Sequence, residues 1–207
     1  RGQTYEALLT VKSIQQAQAY YDLLKRVVKG ETELEICEET RKVLPDFPKF
    51  AITYSVSSDE NNESTDVNVP KMRESLDDYN QMFGTSHGIG EIRGYNAELN
   101  NRLARKISKY KSRDEQLDLV IVVNRLLTGF DAPCLSTVFI DRQPMHPHDI
   151  IQTFSRTNRL FDKNKTCGQI VTFQSPHTFK KAVDEALVLY SAGGQASVLA
   201  PDWDTVH

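Results

Sequence analysis

Gln152, Arg156 and Arg159 stand at i, i+4 and i+7 of a stretch opened by Pro147. On a helix they share one face, while Ile150, Ile151 and Phe154 turn to the other side. Guanidiniums on one face suit polyphosphate oxygens, because each is a rigid planar fork of donors that stays charged at any relevant pH. Upstream, Thr128, Gly129 and Asp131 closely follow an apolar run at 119–123. In open parallel sheets, ligands sit beyond the carboxyl ends of strands. There Gly129 would allow close approach of a ligand, Thr128 offers a hydroxyl and an amide to phosphate, and Asp131 can accept from ribose hydroxyls or hold an arginine. Gly-Phe-Asp-Ala-Pro is equally good chemistry for a plain turn, and a surface helix can carry ordinary arginines. The order strand, glycine turn, strand, arginine helix joins the two groups into one candidate phosphate site.

The elements that must position these residues are an α/β set. Strand-like runs near 5–11, 50–55, 119–123, 137–141 and 168–173, separated mostly by helices, predict a mostly parallel sheet flanked by helices. Ser13 followed by Gln16 has capping-box spacing, predicting a helix from there to about Gly30. Pro70 is expected to open a helix with Met72, Leu76, Tyr79 and Phe83 on one face, and Gly88, Gly90 and Gly94 read as loop. A helix over 95–110 would turn Leu99, Leu103, Ile107 and Tyr110 inward and Arg102, Arg105, Lys106 and Lys109 outward. From 102 to 113 there are six basic residues and no acidic one, a face that suits nucleic-acid phosphates and equally a solvated surface. The last helix, over 176–191, would pack through Phe179, Ala182, Val183, Ala186, Leu187 and Tyr190. Residues 57–66 contain nothing to bury and read, with their flank to 69, as a mobile acidic loop. The connection over 31–48 has no assigned structure. The domain is placed at 1–192, with 193–207, including Trp203, as a tail or linker.

With 39% hydrophobic and 26% charged residues among 207, the composition is that of a soluble globular protein. A net charge of −3 and a pI near 6.0 exclude a global basic signature, so any nucleic-acid contact must be local. Cys37, Cys134 and Cys167 are odd in number and far apart, which argues against a disulfide framework and a zinc site and fits a reducing cytoplasm. No apolar run approaches the ~18 residues of a membrane span. The chain starts at Arg1 directly in strand-like sequence, as an excised piece of something larger would.

Leu-Leu-Thr-Gly-Phe-Asp-Ala-Pro (126–133) followed by Gln-Thr-Phe-Ser-Arg-Thr-Asn-Arg (152–159) resembles motifs V and VI of superfamily 2 helicases, in the wording of the R (restriction) subunit of type I restriction enzymes. Ala-Leu-Leu-Thr-Val-Lys-Ser (7–13) with Ala-Tyr-Tyr (19–21) is similar to motif IV and its helix. The resemblance implies the second RecA-like lobe of an ATP-dependent double-stranded DNA translocase, a P-loop NTPase-type fold without its own P-loop. Carried over, Arg159 is the arginine finger and Arg156 its partner. Gln152, Gly129 and Asp131 are nucleotide or interlobe contacts, and Thr128 and Ser13 meet the DNA backbone. ATP and Mg²⁺ would be held mainly by a first lobe; the further partners implied are the modification and specificity subunits. Ser155 stands where general helicases have a glycine, which fits the R-subunit type.

There is no G-x-x-x-x-G-K-[ST] in the chain, so the phosphate-cradling loop is absent. No Asp or Glu stands two residues before a lysine, as the usual restriction-nuclease signature requires. The isolated chain is therefore expected to bind no cofactor of its own, hold no metal and show neither ATPase nor nuclease activity. The alternatives are another superfamily 2 helicase lobe, or a noncatalytic α/β docking or nucleotide-binding domain.

Overall fold

The computed structural model describes residues 4–55, 65–123, 132–159, 161–173 and 175–191. Five strands, β1 (Glu6–Val11), β2 (Phe50–Thr53), β3 (Leu119–Val123), β4 (Leu135–Asp141) and β5 (Gln169–Thr172), form one sheet in the order β2-β3-β1-β4-β5, every pair parallel. Helices α1 (Ile14–Lys29), α2 (Glu38–Val43), α3 (Thr65–Phe83), α4 (Ile92–Ala104), α5 (Pro147–Thr157) and α6 (Pro176–Tyr190) flank it. This is the expected α/β class, and the five strands fall where the apolar runs do.

Apolar runs become central strands because both faces of a parallel sheet are covered. Leu8 of β1 lies between Val120 of β3 and Val138 of β4, and all three are buried. β5 alternates exposed and half-buried residues as an edge strand. The opposite edge, β2, is closed by helices: the Tyr95 hydroxyl of α4 donates to the Ile52 carbonyl at 2.8 Å. Met72, Leu76, Tyr79 and Phe83 are buried together on α3, as their spacing predicts.

Several boundaries differ from the sequence reading. α3 begins at Thr65, so Pro70 lies within it, and residues 65–69 are helical instead of loop; the acidic residues before Thr65 lie outside the described residues. Gly94 sits inside α4, which starts at Ile92 and stops at Ala104, well short of 110. Arg105 caps it in the left-handed region (φ 49°), a place usually taken by glycine. Short 3₁₀ turns follow at Ser108–Lys111 and Arg113–Glu115, leaving Ile107 exposed where it was expected inward. On α6, Ala186 is fully buried, whereas Tyr190 is half exposed. The 31–48 connection contains α2, which buries no residue.

Candidate phosphate-binding site

Strand connections run one way from β1, across β3 to β2, and the other way from β4 to β5, so the crevice between β1 and β4 lies at a topological switch point. A cleft of about 260 Å³ opens there, lined by Lys12, Gln16, Asp141, Arg142, Gln143 and Phe173. Its geometry follows from the cap of α1. Ser13, in extended backbone, accepts from the Gln16 amide at 3.2 Å, and the Gln16 carboxamide oxygen accepts from the Lys12 amide at 3.0 Å. The other end of that carboxamide donates to Asp141 Oδ2 at 2.6 Å, and the Tyr20 hydroxyl donates to the same oxygen at 2.7 Å. Burial, then the Asp141 hydrogen bond, pushes the Tyr20 phenol up to about 12. Asp141 thereby fastens the start of α1 to the end of β4.

The arginine helix departs from its helical-wheel picture. Pro147 starts α5, where its missing N–H costs nothing, and the helix stops at Thr157. Arg159 is two residues past the end, so it shares no helical face with Gln152 and Arg156. Nor is charge cleanly separated from core: Arg156 is buried along with Ile150, Thr153 and Thr157. Its Nη2 donates to the Gln152 carboxamide oxygen at 3.3 Å. Arg159 is exposed. Its carbonyl accepts at 2.5 Å from the ammonium of Lys165, which also donates to the Pro133 carbonyl at 2.7 Å. Thr128, Gly129 and Asp131 lie outside the described residues.

The basic segment after α4 is corrected most. Arg102 is 0% exposed: Nε donates to the Tyr79 hydroxyl at 2.9 Å, Nη1 to Glu115 Oε2 at 2.6 Å, and Nη2 to Glu98 Oε1 at 2.7 Å. The guanidinium also lies 3.6 Å from the centre of the Phe83 ring. Arg105 is buried too, with Nε 3.0 Å from Glu6 Oε1 and Nη1 donating to the Thr4 carbonyl at 2.8 Å. A buried cation persists only when paired and hydrogen-bonded, and these carboxylates lie outside the basic window in sequence. Neither arginine is placed outward for DNA. Lys106 and Lys109 are exposed, Lys109 with Glu115 at 3.8 Å.

Sequence reasoning missed Lys165, Tyr5 and Asp162. Asp162 carried a local signal, an Asx residue followed closely by Asn164 and Lys165; the burial of Lys165 carried none. Among the described residues no group of three or more His, Cys, Asp or Glu is arranged to hold a metal ion, and no helix is long and apolar enough to cross a membrane.

Residues 3–175 match the family model described as type I restriction enzyme subunit R domain 3. The chain is 31% identical over 196 residues to the type I restriction enzyme SauCOLORF180P endonuclease subunit of Staphylococcus aureus strain COL, covering 92% of this chain and 18% of that one. It is 31% identical over 207 residues to the SsaAORF53P endonuclease subunit of Staphylococcus saprophyticus, covering 99% of this chain and 20% of the relative. The chain thus spans about a fifth of the length of these curated relatives. With a family model running through nearly all of the described sheet and both arginine-bearing segments, the chain belongs to the family of type I restriction enzyme subunit R domain 3.

Proposed function

We propose that this domain is the second motor lobe of a type I restriction enzyme R subunit, an ATP-dependent translocase of double-stranded DNA. It answers a nucleotide held mainly by another lobe. The observation that carries the reading is the asymmetry at the end of α5. Arg156 is folded down against Gln152 at 3.3 Å, whereas Arg159, just beyond the helix, stands at the surface. One arginine is built into the wall, and the other lies at the surface, where a phosphate brought by another lobe would meet it.

In this reading Arg159 meets the γ-phosphate and Arg156 holds Gln152 in place beside it, with Gly129 and Asp131 near the nucleotide. Mg²⁺–ATP, when bound, would supply the scissile phosphoanhydride and a counter-charge for it. Arg159 contributes positive charge where negative charge grows during transfer. DNA phosphates would meet Ser13 at the N-terminus of α1, Thr128, and the exposed Lys106 and Lys109. Lys12, next in sequence to Ser13, lines the switch-point cleft, which supports a phosphate path there. Double-stranded DNA, the first lobe, and the modification and specificity subunits are the partners, and strand cleavage resides in another part of the R subunit.

The test is ATP turnover by the full-length R subunit assembled with its partner subunits and DNA. Arg159→Ala is expected to lower DNA-stimulated turnover by about 10³-fold or more while nucleotide binding persists. Turnover within twofold of the unaltered enzyme would refute the assignment.

A further inference from the structure

Between α5 and β5, the contacts of residues 161–168 form a latch. Asp162 Oδ1 accepts from the backbone amides of Asn164 and Lys165, each at 2.9 Å, an Asx-type turn. The Tyr5 hydroxyl reaches the two oxygens of Asp162 at 2.8 and 3.0 Å, tying the turn to the residue just before β1. At the far end, Gly168 is pressed against Thr157 in the last turn of α5, where a Cβ would collide with the threonine side chain and carbonyl carbon. Held this way, Lys165 points inward and is 4% exposed.

Its ammonium donates to two main-chain carbonyls, Pro133 at 2.7 Å and Arg159 at 2.5 Å. Burial draws the Lys165 pKa below its ordinary value, so the charge is kept at a cost that a surface lysine would avoid. The two carbonyls are not arbitrary. Pro133 follows Asp131 by two residues, and Arg159 is the arginine at the surface beyond α5. Because α5 ends at Thr157, the helix does not set the backbone from which Arg159 projects.

We propose that Lys165, seated by Asp162 and Tyr5, is a positioning residue: it ties the backbone of Arg159 to that of Pro133, just before β4, and so fixes where the arginine projects. This rests on the arginine-finger reading above. A displacement of about 1 Å at a reacting group can cost about 10²-fold in rate, so a tether at the root of the side chain bears directly on turnover.

In the full-length R subunit with its partner subunits, Lys165→Met and Tyr5→Phe are compared with Arg159→Ala, singly and combined, by DNA-stimulated ATP turnover. Lys165→Met is expected to lower kcat roughly ten- to hundredfold with the KM for ATP within about twofold. Tyr5→Phe acts in the same direction by a smaller factor. Neither lowers turnover further once Arg159 is alanine, because the latch acts through that side chain. Unchanged kcat in both variants, or factors that multiply in the Arg159→Ala background, overturn the latch and leave the finger standing. Arg159→Ala without effect overturns the finger and the latch together. If Lys165→Met fails to assemble, Tyr5→Phe, which removes one half-buried hydroxyl, is judged by the same two criteria.

Discussion

Arg102 and Arg159 carry the same side chain into opposite surroundings. Arg102 is enclosed by Glu98, Glu115, Tyr79 and Phe83, whereas Arg159 is exposed beside a backbone that Lys165 holds. Charge counting along the sequence treats them alike: Glu98 is a local i,i+4 partner of Arg102, but Glu115, Tyr79 and Phe83 become its neighbours only in the tertiary fold. The Glu6–Arg105 pair shows the same effect and carries a pH signature. Burial pushes the Glu6 carboxyl up to about 8, against the pull of the Arg105 guanidinium beside it. A carboxyl raised on folding contributes stability that is fully present below its unfolded pKa of about 4.3 and is lost as pH rises through the folded value. The melting temperature of the unaltered domain should therefore fall between about pH 5 and 8 relative to Glu6→Gln, which cannot ionise. Parallel melting curves for the two proteins across that window would show that Glu6 is ionised throughout.

At the scale of elements, the start of α1 was legible and the ends of α4 and α5 were not. A capping box is local: Ser13 and Gln16 are three residues apart and find each other wherever the chain runs. Ser13→Ala should cost about 1 kcal/mol of stability, lowering the melting temperature by roughly 2–4 °C, read by thermal denaturation; no loss would mean the cap is replaceable by water. The end of α4 is a tertiary decision. Arg105 adopts a glycine-like φ of 49° where its side chain is held by Glu6 and the Thr4 carbonyl, and nothing in residues 95–110 announces this. At α5 the pattern of Gln152, Arg156 and Arg159 reads as one continuous stripe, yet the helix stops before its last member. Periodicity shows which residues would align on a helix, without showing where the helix ends.

For the whole molecule, the parallel sheet places the ends of β1 and β4 at a switch point, with polar side chains from both around one cleft. No G-x-x-x-x-G-K-[ST] motif, the sequence signature of a phosphate-cradling loop, occurs in the 207 residues. The isolated domain with DNA and Mg²⁺ is accordingly expected to turn over no ATP. Steady hydrolysis abolished by Arg159→Ala would contradict that expectation.

By itself the sequence determined the strand positions, the α/β class, the cap of α1 and the family. Each of these is written in short-range periodicity, in a three-residue spacing, or in motif order along the chain. The tertiary structure alone decided which arginines are buried, that Arg159 lies beyond its helix, and that Lys165 reaches two carbonyls 32 and 6 residues away. Those outcomes depend on which carboxylates and carbonyls the fold brings within hydrogen-bond reach, and pairings such as Arg105 with Glu6 or Lys165 with Pro133 are too far apart in sequence to leave a local pattern.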